Sequence, residues 1–238
     1  MVQTRSGSVA RATPPPPATR SSPTAATTTK TTATTTTTTP HTATIISHTP
    51  STATLAWLAV SLPLVAWDTG YILLRPRSMP GGDLHWPLWV PYDLYGRVDH
   101  IYGFKQWHLN NGFTAAQGSL NIIESLMYLY YLYVWSSSAA PAGSGARAAV
   151  TGRPAARAVL VLFSALVMTL SKTILYWLNE SWSGFDNIGH NTARDVCFLW
   201  VVPNGLWIIF PGYLIYKLGT EIMEDLVPSS TRTSFKTE

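Results

Sequence analysis

The chain has 238 residues, enough for one domain with a tail, and 46% of them are hydrophobic while only 12% are charged. That charged share is about half the share in an average soluble protein. The net charge of +4 is scattered, with no basic run or aromatic-plus-basic platform, which excludes a nucleic-acid-binding protein. Cys197 is the only cysteine, so an intramolecular disulfide and a cysteine-based zinc cluster are excluded.

The N-terminal stretch is rich in Thr, Pro, Ala and Ser, with four consecutive prolines at residues 14–17. It buries too little apolar surface to offset the entropy lost on ordering, so residues 1–52 are predicted to be a disordered tail. No apolar core of a secretory signal is found in it. Its composition also resembles a transit peptide, an alternative disfavoured by the prolines and by the missing helical amphipathicity.

The first predicted transmembrane helix covers about residues 53–74 and ends at Arg75. Its length suits a hydrocarbon core of about 30 Å, and Pro63 is expected to kink it. Asp68 lies six residues from its end. Because the Asp side chain is short, an inward position is favoured over snorkelling to the interface.

A polar and aromatic connection follows over residues 75–112, with four prolines and several glycines. That composition interrupts regular helices and favours an ordered cap at the membrane interface. The connection holds five candidate metal ligands, which are His85, Asp93, Asp99, His100 and His108. No His-x-x-x-His or His-x-x-Glu pairing occurs among them, so a solvated loop without metal is favoured.

The second predicted span, about residues 114–135, combines the length of a membrane helix with a line of polar residues. Gln117, Asn121, Glu124 and Tyr128 recur at i, i+4, i+7 and i+11, so they share one helical face. A carboxyl group at membrane depth costs a few kcal/mol on insertion scales and normally faces a bundle interior or a wet cavity. Glu124 is therefore the leading candidate for a functional residue.

A connection over residues 136–154, predicted to be flexible, leads to the third span at about residues 158–178. Lys172 and Tyr176 share one face of this helix. Two interpretations of Lys172 stay open. Its ammonium group snorkels to the interface, which is slightly favoured, or it pairs inside the bundle with Asp68 or the carboxylate of the second span.

The fourth predicted span covers about residues 196–218, and residues 219–238 form a polar tail. Trp200, Asn204 and Trp207 lie on one face of this helix. Aromatic residues at this spacing are more often packing residues than pocket residues. An amide in mid-span, however, needs a partner or a ligand.

The predicted fold class is an all-α integral membrane protein with a four-helix bundle over residues 53–218. Four spans place both termini on one side of the membrane. The connection after the second span carries Arg147, Arg153 and Arg157 with no acidic residue, and Lys217 closes the fourth span. This basic side is predicted to be cytosolic.

The polar residues within the membrane suggest acid–base chemistry. Between two carboxyl groups in an apolar pocket, desolvation can keep one protonated while the other acts as base, which suits Asp68 and Glu124. Indole faces such as that of Trp207 attract cations, including a carbocation formed by protonating an alkene. The same groups could equally bind a cationic amphiphile without turnover.

Several motifs resemble the EXPERA domain family of emopamil-binding protein, the sterol delta-eight to delta-seven isomerase, and of the sigma-two receptor type. The matching pieces are NIIES at residues 121–125, YWLNESWSGFDNIGH at 176–190 and PNGLWIIFPG at 203–212. The resemblance covers about residues 53–218. Its most specific part is the N-x-x-W-x-x-x-P-G pattern that begins at Asn204.

The resemblance implies an endoplasmic-reticulum membrane protein with a sterol-like pocket inside the bundle. Asp68 and Glu124 match the family carboxylates, and Asn204 and Trp207 match the Asn and Trp of the last helix. The isomerase carries a His where this chain has Leu64. The lysine in the third span is a second departure from the family pattern.

Three functional hypotheses follow. The first is an isomerase that shifts a double bond in a sterol or related terpenoid, with Asp68 and Glu124 as catalytic residues and no cofactor. Its substrate-binding residues would be Asn121, Tyr128, Lys172, Tyr176, Trp200, Asn204 and Trp207. The second is a non-catalytic binder or chaperone of sterols, other lipids or cationic amphiphiles. The third, less favoured because four spans are few, is a membrane terpene cyclase. Formation of a homodimer is left open.

Overall fold

The computed structural model describes residues 46–139 and 148–227, which are mostly helical. In chain order the elements are β1 (Ser47–His48), α1 (Thr52–Leu73), α2 (Pro91–Val98), α3 (Phe104–His108), α4 (Phe113–Ser138), β2 (Val150–Thr151), α5 (Gly152–Trp182), α6 (Ala193–Val196), a π-helical turn (Cys197–Val201) and α7 (Val202–Leu226). The four long helices form a bundle in which α4 packs against α1 and α5, and α7 packs mainly against α5.

Three helical stretches in the described part of the chain are long and apolar enough to cross a membrane. They are Thr52–Leu73, Gly152–Trp182 and Ala193–Leu226. They correspond to the first, third and fourth predicted spans, and the last two extend beyond the predicted bounds at both ends. By length and composition, the chain is a multi-pass membrane protein.

Helix α4 is not among these three stretches, because the face that it buries is polar. Its buried residues are Thr114, Gly118, Asn121, Glu124, Tyr128, Tyr131 and Val134. This periodicity confirms the prediction of a shared polar face. The opposite face carries Ile123, Leu126 and Leu129, all more than half exposed. Helix α4 is thus polar toward the bundle and apolar toward the outside.

The two ends of the bundle are closed in different ways. At one end, called the strand end, β1 pairs antiparallel with β2. There His48 contacts Glu221 through Nδ1 at 2.6 Å and the Tyr131 hydroxyl through Nε2 at 2.9 Å. At the other end, residues 74–112 form a folded cap that contains α2 and α3.

The cap is tied to the bundle by aromatic side chains, as its composition predicts. The Trp67 indole N–H donates to the Leu88 carbonyl at 2.9 Å, and the Trp89 indole N–H donates to the Trp67 carbonyl at 3.1 Å. The rings of Tyr71 and Tyr92 stack with centroids 3.9 Å apart. These contacts fix the cap on α1.

Three predicted boundaries need correction. The ordered chain includes β1, which precedes the predicted start at residue 53, while residues 1–45 of the predicted tail lie outside the described residues. The connection predicted to be flexible contains β2 and the start of α5, and residues 140–147 are not described. Helix α7 continues to Leu226, so the first part of the predicted polar tail is helical.

The largest apolar cluster lies in the strand-end half of the bundle, and two smaller ones lie at the cap end, around Tyr71 and around Tyr176. The largest cluster includes Leu58 of α1 and Leu162 and Leu166 of α5, all at most 1% exposed. Helix α5 also buries Ala158 and Ala165 there. Small residues let neighbouring helices approach closely, which favours association inside a membrane.

The last helix changes its winding in the cap-end half. Helix α6 leads into the π-helical turn, where the Val202 N–H donates to the Cys197 carbonyl five residues earlier. Pro203 follows directly and has no N–H to continue an α-helical ladder. Single π-helical turns inside α-helices often occur at functional sites.

Candidate functional site

A cavity of about 400 Å³ lies between the long helices and the cap. Its volume falls within the range of roughly 300–1,000 Å³ that is usual for small-molecule pockets. Most lining residues are aliphatic, proline or aromatic. The polar ones, apart from tyrosines, are Asp68, Gln117, Asn121, Lys172, Thr173 and Asn204. An apolar cavity with a few convergent polar groups is the usual form of a ligand site.

Asp68 of α1 lies at the wall of this cavity, so the predicted inward position is confirmed. The Tyr92 hydroxyl donates to Asp68 Oδ1 at 2.6 Å. The Asn121 amide approaches Asp68 Oδ2 at 3.5 Å and donates to the Thr69 hydroxyl at 3.1 Å. Among the described residues, Asp68 forms no ion pair. Its carboxylate is therefore held by neutral donors only.

Glu124 lies behind the cavity wall, paired with Lys172. Its Oε2 atom is 3.0 Å from Lys172 Nζ, and Lys172 also donates to Asn121 Oδ1. Lys172 lines the cavity, whereas Glu124 does not. The slightly favoured snorkelling of Lys172 is therefore wrong. Helix α5 ends ten residues after Lys172, roughly 15 Å away, which is beyond the reach of the lysine side chain. The ammonium group is instead neutralised inside the bundle by Glu124.

The cavity brings together most of the predicted site residues but not all of them. Asp68, Asn121, Lys172, Tyr176, Asn204 and Trp207 line it. Tyr128 lies deeper in the bundle, where its hydroxyl contacts the Thr169 hydroxyl at 2.7 Å. Trp200 lies behind Tyr176, with the two rings stacked at a centroid distance of 5.7 Å. Glu124, Tyr128 and Trp200 therefore have no direct access to a ligand in the cavity.

The π-helical turn explains the position of Trp200. An uninterrupted α-helix would place Trp200, Asn204 and Trp207 on one face. The extra residue in the turn Cys197–Val201 shifts Trp200 out of that register. The Asn204 amide donates to the Trp200 carbonyl at 2.9 Å, so the mid-span amide finds its partner in the backbone of its own helix.

The sequence interpretation missed Asp99, which it assigned to a solvated loop. Asp99 is 1% exposed, and its Oδ1 accepts the Ile101 N–H at 3.0 Å. Its Oδ2 accepts the Trp200 indole N–H at 2.9 Å and the Tyr176 hydroxyl. Burial raises the pKa of Asp99 to about 6, even though these donors favour the charged form.

A wall of tyrosines joins the surroundings of the two aspartates. Tyr92, Tyr95 and Tyr102 of the cap and Tyr176 of α5 line the cavity. The ring of Tyr102 lies 5.0 Å from that of Tyr95 and 5.9 Å from that of Tyr92, measured between centroids. Burial, together with the Asp68 charge, raises the pKa of Tyr92 far above its ordinary value. The phenol therefore stays protonated and can donate.

No metal centre is found in the part of the chain that the structure describes, because no three His, Cys, Asp or Glu side chains there could hold one ion. The candidate ligands of the cap have other contacts. His85 Nδ1 donates to the Ser78 carbonyl at 2.9 Å, and the rings of His100 and His190 stack with centroids 3.9 Å apart. Asp93 forms a surface ion pair with Arg97 at 3.2 Å.

Comparisons of this chain with protein-family models, with curated proteins and with solved structures find no match. What the site can do therefore follows from its own geometry. It offers an apolar volume, a carboxyl group at Asp68 held by a phenol donor, aromatic faces and a line of further phenols. Such a site can hold a lipophilic molecule, exchange a proton with it and stabilise a positive charge on it.

Proposed function

We propose that this chain is a membrane isomerase that shifts a double bond in a sterol or related terpenoid. The observation that carries the proposal is the Asp68 carboxyl group, which has no ionic partner among the described residues and lies at the wall of an apolar, aromatic cavity. Shifting a double bond through a carbocation requires an acid to protonate the alkene and an electron-rich surface to stabilise the cation. Asp68 supplies the first, and the faces of Trp67 and Trp207 supply the second.

The charge balance of the site supports this proposal. Lys172 and Glu124 neutralise each other at 3.0 Å, so Asp68 is the carboxyl group at the cavity wall that is left to hold and release a proton. When protonated Asp68 gives its proton to an alkene, its carboxylate becomes negative as the substrate becomes positive. The two charges then arise together in a site of low polarity, where their attraction is strong.

The proposed reaction needs two proton transfers and no cofactor. In the first, the Asp68 O–H bond breaks, the alkene electrons form a C–H bond, and the positive charge remains on the neighbouring carbon. In the second, a proton leaves an adjacent carbon for a base, and the electrons of that C–H bond form the new double bond. The Tyr92 hydroxyl, 2.6 Å from Asp68, orients the carboxyl group between these steps.

The fold supports four membrane spans in this proposal, with α4 as the second. Because β1 pairs with β2, the chain before α1 and the chain after α4 meet at one end of the bundle. If α1 crosses the membrane, α4 must cross it in return. The 26 residues of α4 extend roughly 39 Å, and its apolar face points outward, as a lipid-facing helix requires. Both termini would then lie on the basic, cytosolic side, and the resemblance implies the endoplasmic reticulum.

The test is to express the chain in cells that lack delta-eight sterol isomerase and to read their sterols by mass spectrometry. We expect the unmodified chain to restore delta-seven sterols and Asp68→Asn to abolish them. Asp83→Asn is the matched control, since Asp83 is an exposed carboxylate of the cap, paired with Arg77 at 2.6 Å. Stably made protein without any restored sterol would count against the proposal.

One observation favours a second candidate, a non-catalytic binder of lipids or cationic amphiphiles. Leu64 lines the cavity at the position where the resemblance leads one to expect a His. The first helix thus offers a single titratable group to the cavity. For a binder, a tertiary-amine amphiphile should bind the protein in lipid nanodiscs with a dependence on Asp68, while no sterol or terpenoid alkene takes up deuterium from the solvent.

A further inference from the structure

We propose that Tyr176 and Asp99 form the second acid–base pair of the cavity, with the Tyr176 hydroxyl contacting the substrate and Asp99 positioning that hydroxyl. This inference rests on the proposed isomerase function and deepens it, because that reaction needs a base as well as an acid. Glu124 is the carboxylate that the sequence suggests as the partner of Asp68 in acid–base chemistry. It is paired with Lys172 and does not line the cavity.

The hydrogen bonds around Asp99 couple it to a phenol of the cavity wall. The carboxylate has almost no exposed surface and points at the hydroxyl of Tyr176, a residue that lines the cavity. The Trp200 indole N–H lies 2.9 Å from Asp99 Oδ2 and 3.3 Å from the Tyr176 oxygen. The indole therefore locks the carboxylate and the phenol in one arrangement. A phenol held in this way directs its proton to Asp99, which does not line the cavity, and its oxygen, approached by the Trp200 N–H on one side, keeps a second lone pair for an incoming proton.

The Tyr176–Asp99 pair lies on a different wall of the cavity from Asp68. Asp68 belongs to α1 and is held by Tyr92, whereas Asp99 belongs to the cap and is held by side chains from α5 and the π-helical turn. Tyr102 lies between them, with its ring centroid 5.9 Å from that of Tyr92 and 6.5 Å from that of Tyr176. An acid and a base thus face the same cavity from separate walls.

The proton step balances without another reactant. A C–H bond of the carbocation breaks, its electrons form the new double bond, and the proton goes to the Tyr176 oxygen. At the same time the original hydroxyl proton of Tyr176 moves to the Asp99 carboxylate. One turnover leaves Asp68 ionised and Asp99 protonated, and exchange with water at the membrane surface restores both.

The pH dependence follows from Asp99 and its surroundings. The titratable groups around it are Tyr176 and Glu180 from α5 and Tyr95 and Tyr102 from the cap. Glu180 is held by the backbone N–H groups of residues 187 and 188, at 3.0 and 3.2 Å. Because burial raises the pKa of Asp99 to about 6, its carboxylate is lost below that pH, and the rate should fall with it.

The experiment uses the full chain in lipid nanodiscs with a delta-eight sterol in deuterated water, over pH 5 to 8. We expect Tyr176→Phe and Asp99→Asn to lower kcat by roughly 100-fold, as removal of a general acid or base does, with little change in KM. In Asp99→Asn the acidic limb near pH 6 should also disappear, which a purely structural loss would not cause. The matched control is Tyr131→Phe, since Tyr131 is a buried tyrosine whose hydroxyl contacts His48 at the strand end.

The outcomes separate this inference from the proposed function. Wild-type protein that converts no sterol overturns both. Wild-type turnover that survives Tyr176→Phe, with the acidic limb intact in Asp99→Asn, overturns the Tyr176–Asp99 pair alone and leaves the isomerase. Binding of a tertiary-amine amphiphile to each variant serves as the folding control. If Asp99→Asn loses this binding, the conservative Tyr176→Phe variant decides the question.

Discussion

The two halves of the bundle bury different kinds of side chain. Toward the strand end, the helices pack Leu58, Leu162 and Leu166 with small alanines. Toward the cap, the same helices and the cap bury Glu124, Lys172, Asp99 and Asn121, and the cavity opens among them. Buried ionic groups rarely add net stability compared with apolar packing. The strand-end half therefore holds the helices together by apolar packing, while the cap-end half combines smaller apolar clusters with buried charged groups that are costly and that a function can explain.

The largest effect should come from breaking the ion pair of the cap-end half. Lys172→Met removes the ammonium paired with the buried Glu124 carboxylate, so we expect the free energy of unfolding to fall by about 3–5 kcal/mol. The double variant Lys172→Met with Glu124→Leu should recover most of this loss, because both charges are then absent. Unfolding in mixed micelles measures both variants. A single variant as stable as the wild type would contradict the buried pair.

The strand-end half should respond in stability alone. Leu166 is completely buried, and Leu166→Ala should lower the free energy of unfolding by about 2–5 kcal/mol through lost packing and the cavity left behind. Its affinity for a tertiary-amine amphiphile should stay unchanged, because Leu166 does not line the cavity. Titration of the folded variant in nanodiscs measures that affinity. A large change in affinity would show that the two halves are coupled.

The cap-end half should also contribute a pH-dependent part of the stability through Asp99. The pKa of Asp99, about 6, lies above the ordinary value of 3.8 expected in the unfolded chain, so the folded state binds the proton more tightly. The stability contributed by this group is therefore present in full below pH 3.8 and is lost as the pH rises through 6. The difference corresponds to about 3 kcal/mol.

Asp99→Asn should remove this contribution to the change of unfolding free energy with pH. Unfolding of wild type and variant at several pH values between 4 and 7 measures the difference, with Asp83→Asn as the exposed control. If the two stability curves run parallel over that range, the burial of Asp99 does not have the expected effect.

The smallest effect concerns the boundary between the two halves. The Tyr128 hydroxyl contacts the Thr169 hydroxyl at 2.7 Å, and Tyr128→Phe removes this contact while it keeps the ring. We expect a loss of about 0.5–1.5 kcal/mol in unfolding free energy, the usual net value of one hydrogen bond. Sterol turnover in the nanodisc assay should be unchanged, because Tyr128 does not line the cavity. A large loss of turnover would show that the functional site extends beyond the cavity lining to Tyr128.

The parts of the fold that depend on local pattern could be predicted from the sequence. The polar face of α4 repeats along one helix, and its burial is confirmed. The side chain of Asp68 is too short to snorkel easily, which favours an inward position, and the structure places it at the cavity. The first, third and fourth spans follow from apolar length. In each case the deciding information lies within a single helical stretch of the chain.

The rest of the site depends on distant partners and could not be predicted. Asp99 is buried by Tyr176 and Trp200, which are 77 and 101 residues away. Lys172 finds its carboxylate 48 residues away on another helix. The Pro, Gly and His content around Asp99 suggests solvated turns. This local composition does not indicate that side chains of the long helices cover Asp99. Only the packed fold brings these groups together.

The π-helical turn has a consequence for insertions and deletions in the last helix. Each residue advances an α-helix by about 100°, and the turn Cys197–Val201 stores one residue more than a regular winding needs. Deleting Val201 would let the helix return to regular winding and would rotate the part before the turn relative to the part that carries Asn204 and Trp207. The number of residues in the π-helical turn thus sets the rotation between the parts of the helix before and after it. Changing that number by one would turn the aromatic side chains toward other neighbours without a substitution at any of them.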